Sequence, residues 1–296
     1  MAATTATEPS VNKEYDADHT AVHDHAPTNG TQRGYGAYGG NPLAHINTGD
    51  SARLPAFGGD FQPGLYRPDP HRKFANPAPL GLAAFALTTF VLSLINIQVR
   101  DVTEANIAVA LAYGYGGLVQ LLAGMWEMAV GNTFGATALS SYGGFWLSYA
   151  IISTPGGFGI AAAYSGAGKG VNDLNNALGY FLIGWFIFTF ILVLCTLKST
   201  VAFFMLFFTL DLAFLFLAIG HLEADATGKV YLNSQKAGGY FGLFAAFLAW
   251  YNALAGIADS SNSFFIIPVA HFPWSAKGRE LRAASANKTK SERDIV

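Results

Sequence analysis

Charge is scarce in this chain. Asp, Glu, Lys and Arg make up 12% of its 296 residues while hydrophobic residues reach 52%, and a soluble domain would carry about twice that charge. The formal net charge of -2 comes with no dense basic patch, so nucleic acid is excluded as an expected partner. Cysteine is nearly missing: Cys195 stands alone inside an apolar run, which rules out an intrachain disulfide. No HExxH, nucleophile elbow or paired-carboxylate spacing occurs, so no enzyme is expected. Neither a cofactor nor a metal is expected. GYGAYGG has no strand before it and no Lys-bearing helix after it, and His19, His23 and His25 of DHTAVHDH sit in a tail without fixed geometry. The opening residues lack a basic n-region and an apolar h-region, so the first membrane helix is expected to target the chain.

What is present is apolar sequence in blocks. A bilayer core needs roughly 20 residues of helix, and six runs approach that length: Leu80 to Ile97, Ala105 to Met125, Thr133 to Ile152, Ala177 to Leu197, Val201 to Gly220, and Ala237 to Ala258. The expectation is an all-α membrane protein with six transmembrane helices over 80–258. Residues 1–60 are polar and Gly-rich and read as a disordered tail. Residues 61–79 mix aromatics with Arg67, Arg72 and Lys73 as a headgroup-layer segment does, and 259–296 form a C-terminal segment and tail. The short KST link makes helices four and five antiparallel neighbours. Arg67, Arg72, Lys73, Lys198, Lys277, Arg279 and Arg282 gather on the side of the two tails, so the positive-inside rule places both termini in the cytoplasm. The sequons at Asn29 and Asn287 lie in those tails and are expected to stay unglycosylated.

Polar residues inside the runs are the candidate site. In NPAPLGL, Asn76 can cap helix one through its side-chain oxygen, while Pro77 occupies a first turn where a missing N–H costs nothing. The plain reading is a helix start; the functional one is a positive helix end that meets an anion. Phe85, Thr89, Leu92 or Ser93, and Asn96 share a stripe of helix one. Tyr113, Gly117, Gln120, Gly124 and Glu127 share one in helix two. Thr133, Thr137, Ser140, Gly144 and Ser148, with Tyr142 beside them, share one in helix three, and Gly238, Gly242, Ala245, Ala249, Asn252 and Gly256 one in helix six. Polar stripes avoid lipid, so each faces a neighbour or a cavity; interhelical packing is the plain alternative for all of them.

NPAPLGL, followed by GNTFGATALSSYGGFW and six runs between polar tails, resembles the acetate uptake transporter family, which holds fungal acetate and ammonia-related transport proteins and bacterial succinate-acetate permeases. The resemblance covers about Asn76 to Phe272, and the ending AWYNALAGIADSSNSFFIIPVA is similar to the fungal branch, although Gly131 stands where that branch often has an acid. It implies a plasma-membrane homo-oligomer, hexameric in bacterial relatives, with one pathway per subunit. It also implies a narrow constriction of Phe85, Tyr142 and Leu210, which blocks hydrated ions by dewetting but passes a small carboxylate.

The resulting expectation is a transporter or channel for acetate and similar small monocarboxylates. Substrate meets Asn76 and Pro77, crosses the constriction, and contacts Gln120, Thr133, Tyr142 and Asn252. Asp211 and Glu127, carboxyl groups inside apolar runs, are candidates for proton coupling. An acetate sensor and an ammonium exporter are the alternatives.

Overall fold

The computed structural model describes residues 75–293. The expectations for the tail, for residues 61–74 and for Asn29 and the three tail histidines lie outside the described residues. Six long helices follow one another: α1 (Ala78–Ile97), α2 (Asn106–Ala129), α3 (Thr133–Ser153), α4 (Asp173–Thr196), α5 (Val201–Leu222) and α6 (Leu232–Ile257), with a polar C-terminal helix, α7 (Ala276–Arg293). α4 and α6 begin several residues before their apolar runs, because first turns carrying Asn175 and Asn176, or Asn233 and Gln235, are polar yet helical.

Five of these helices are long and apolar enough to cross a membrane. α3 is not among them. Its 21 residues reach about 30 Å, but its Ser, Thr and Gly residues dilute its apolar character. The outer surface is apolar: Leu118, Leu122, Trp126, Ile187, Phe190, Ile191, Phe244 and Phe247 are all exposed. That inverts a soluble fold, and with the family assignment reached below it makes this a multi-pass helical membrane protein.

Local chemistry sets the helix ends. Asn76 Oδ1 accepts the Ala78 N–H at 3.2 Å, and Pro77 already has helical dihedrals, so the expected start of α1 is formed. α1 stops at Gln98, which adopts φ 62° and returns its N–H to the final turn. Between α2 and α3, Gly131 takes φ 82° while its N–H reaches Met128 O and that of Asn132 reaches Glu127 O. This is a Schellman ending, in which a side chain at Gly131 would be strained. Thr200 caps α5 by accepting from the Phe203 N–H.

α2 contains a π-helical stretch at Gly114–Val119. Its buried line runs through Ala108 and Ala112, then through Gly117, Gln120, Gly124 and Glu127. The five-residue step from Ala112 to Gly117 belongs to the wider turn. Tyr113 is therefore moved off the face where regular periodicity puts it; it is exposed and bonds Thr154 through its hydroxyl.

α6 packs against both α1 and α5, α5 against α4, and α2 against α3 and α1. Small residues allow the approach: a Cβ at Gly242 would collide with Ser93 Oγ, and one at Gly124 with the Ser140 backbone. After α6 the chain returns across the α4–α5 turn, where the Val201 N–H meets Ala270 O at 2.8 Å and Trp274 Nε1 donates to Leu197 O at 2.7 Å.

Candidate functional site

Three cavities adjoin one another inside the bundle. The largest, about 530 Å³, lies at the end opposite the two described termini, among the ends of α1, α3 and α5, the starts of α4 and α6, and the loop after α3. Four of its lining residues, Leu92, Asn96, Phe145 and Leu217, also line a second cavity of about 40 Å³. The second shares Phe85 and Leu210 with a third of about 20 Å³, bounded by Leu82, Gln120, Ala138, Leu139, Tyr142, Leu206 and Phe207. Each small cavity holds at most one or a few waters. No charged side chain lines either of the two.

Phe85, Tyr142 and Leu210, the three residues that the resemblance names for a constriction, thus stand close together. The rings of Phe85 and Tyr142 lie 6.0 Å apart, and all three residues are buried. Tyr142 is also flanked by Trp185, Phe188, Phe207 and Phe214, which hold its ring in place. Its hydroxyl is paired with Thr189 Oγ1 of α4 at 2.9 Å. A hydroxyl with one proton and two lone pairs still has capacity for another partner. Beyond the smallest cavity, Phe134, Phe203 and Phe207 pack ring against ring at 5.1 to 5.6 Å.

Residues that line the interior carry buried polar atoms without a partner. Both ends of the fully buried Gln120 amide lack a hydrogen-bond partner among the described residues, and so do Thr89 Oγ1 and Trp146 Nε1 on the second cavity. Buried polar groups are normally satisfied, so these atoms, close behind the cavity walls, can still take a water or a polar solute as a partner.

The remaining expected residues fall in three places. Asn76, Pro77 and Asn252 lie on the side of the described termini. Asn252 Nδ2 donates to Leu248 O and its Oδ1 has no partner, while Asn76 Nδ2 is unpartnered and stands near Gly256, one turn past Asn252. Glu127 belongs to the α2–α3 corner: its Oε2 accepts from Asn132 Nδ2 at 2.6 Å, and Asn132 Oδ1 caps α3 through the Gly135 N–H at 3.1 Å. Asp211 is buried and its Oδ1 has no partner, but it lines none of the three cavities. Thr133 is exposed. The neighbouring Asn132 caps the helix, so Thr133 is turned away from the passage.

Sequence reasoning missed Thr189, a single hydroxyl inside FIFTFILV, and the polar atom of Trp146, hidden within a motif valued for other residues. A lone Thr among phenylalanines is the only signal that could have marked Thr189.

An apolar exterior around a wide vestibule and two small, almost wholly apolar cavities define a multi-pass helical membrane protein with a hollow interior. The chain belongs to the GPR1/FUN34/yaaH family, whose model matches residues 57–274. It is 64% identical over 259 residues to acetate permease A of Emericella nidulans, covering 88% of this chain and 85% of the relative. It is 54% identical over 212 residues to ammonia transport outward protein 2 of Saccharomyces cerevisiae, covering 72% and 71%. The structure of the bacterial acetate channel SatP superposes with a TM-score of 0.55 at 32% identity, over 67% of this chain and 100% of that one.

Proposed function

We propose that this protein passes acetate and similar small monocarboxylates through the centre of its helical bundle. The observation that carries this reading is the line of cavities narrowing at Phe85, Tyr142 and Leu210, with the unpaired amide of Gln120 on one side and Thr89 and Trp146 on the other. An apolar ring excludes hydrated ions, whereas a carboxylate with one methyl group exchanges its water for a few donors. The relatives named for acetate support this substrate. Ammonium, suggested by another relative's name, is less suited to inner cavities without a carboxylate.

The test is labelled acetate exchange by the purified full-length protein in liposomes, beside ammonium flux. Acetate exchange above protein-free liposomes supports the reading, and its absence overturns it. Phe85→Ala and Leu210→Ala should widen the ring and raise lactate flux about tenfold relative to acetate; unchanged selectivity in both would remove these residues from the constriction.

The membrane is the plasma membrane in this reading, α3 is the sixth crossing, and both termini are cytoplasmic, which puts the large vestibule outside. Tags at the two termini, probed for accessibility in intact cells, check the orientation. The working form is a homo-oligomer, a hexamer by likeness to bacterial relatives, checked by native mass spectrometry.

A further inference from the structure

The vestibule is lined by no Lys, Arg, Asp or Glu. Apart from the phenol of Tyr149, its titratable side chain is His221, in the last turn of α5. His221 Nδ1 lies 3.1 Å from Asn175 Oδ1 of α4. The orientation of that amide is fixed from its other end, since Asn175 Nδ2 donates to Gly228 O at 2.9 Å. Asn175 Oδ1 can only accept, so the proton of the neutral ring is on Nδ1. Among the described residues no hydrogen bond engages Nε2, so with Nδ1 occupied it is the nitrogen left for a solute in the vestibule that His221 lines. A helix C-terminus also favours a cation at that position.

We propose that His221 captures the substrate's carboxylate at the wide mouth of the pathway: with Nδ1–H held by Asn175, its imidazolium donates Nε2–H to the anion. The proton comes from vestibule water and returns there when the anion moves on, so nothing is consumed. This role rests on the carboxylate reading above. The charged groups on the adjoining segments are Arg100, Asp101 and Glu104 between α1 and α2, Lys169 between α3 and α4, Asp173 on α4, Glu223, Asp225 and Lys229 on the α5–α6 loop, and Lys236 on α6. Asp173 is bonded to the Gly170 N–H, and Asp225 to Thr227 and the Lys229 N–H. None of these nine lines the vestibule, so the imidazole of His221 is the side chain there that can turn cationic when an anion arrives.

The experiment is acetate exchange in liposomes carrying the full chain, with equal pH inside and out, at pH 5.5 and 7.5. The unsubstituted protein should show a KM that rises with pH. His221→Gln should raise the KM at pH 5.5 about tenfold without lowering kcat and should flatten the profile, while His221→Lys should keep the low KM at both values. Asn175→Asp places a carboxylate on Nδ1–H and should move the midpoint of the profile to higher pH. That shift is not expected of a merely structural residue, and it decides the matter if the Gln variant does not fold. Exchange by the unsubstituted protein with an unchanged KM and profile in His221→Gln, or an unmoved midpoint in Asn175→Asp, would overturn this role alone. No exchange by the unsubstituted protein would overturn the carboxylate reading and this role with it.

Discussion

Gln120 is buried with neither end of its amide paired. An amide left in this way costs roughly 1–3 kcal/mol, so the fold gains nothing from it as it stands. Replacing it with Leu removes the unpaired atoms at similar volume. Gln120→Leu should therefore keep or raise the thermal midpoint in detergent while acetate exchange falls about tenfold. A parallel loss of stability and flux would assign Gln120 to packing instead. Tyr142 differs, because its hydroxyl is shared with Thr189 and its ring is boxed by aromatic neighbours. Helical spacing could place Tyr142 on a face, but the partner on α4, 47 residues away, carries no periodic signature.

Among the elements, the corner between α2 and α3 combines three devices in six residues. Gly131 ends α2, Asn132 caps α3, and the same Asn132 side chain holds the Glu127 carboxylate. Glu127 thus has a local structural partner, a weaker basis for moving protons than the sequence implies. Asn132→Ala should cost about 1–2 kcal/mol through the lost cap and more through the carboxylate left behind. Adding Glu127→Gln should return part of that loss, so the double variant should melt above the sum of the two single effects, as read from thermal midpoints. Strict additivity would separate the two residues. The NPAPLGL start was legible because a cap and a proline act within one turn. The π stretch of α2 was not, because its effect is a change of phase visible only in which residues are buried.

On the scale of the whole molecule, the vestibule and the two smaller cavities adjoin through shared lining residues, and Asp211 lines none of them. A buried carboxyl with an unpaired oxygen is still the candidate for coupling transport to protons. If it serves that purpose, Asp211→Asn should retain acetate exchange at equal pH and lose accumulation driven by an imposed pH gradient. Gradient-driven accumulation in the variant at the unsubstituted level would release Asp211 from the role.

Composition and the lengths of the apolar runs were enough to determine an all-helical membrane protein. A bilayer admits few other solutions, and each helix satisfies its own backbone bonds without outside help. Run lengths also located the helices to within a turn or so, and capping chemistry located the start of α1. Which polar side chains meet was decided only by tertiary packing. Thr189 with Tyr142, Asn175 with His221, and Thr133 turned outward depend on how neighbouring helices rotate against one another, and that rotation follows from contacts between residues far apart in the chain.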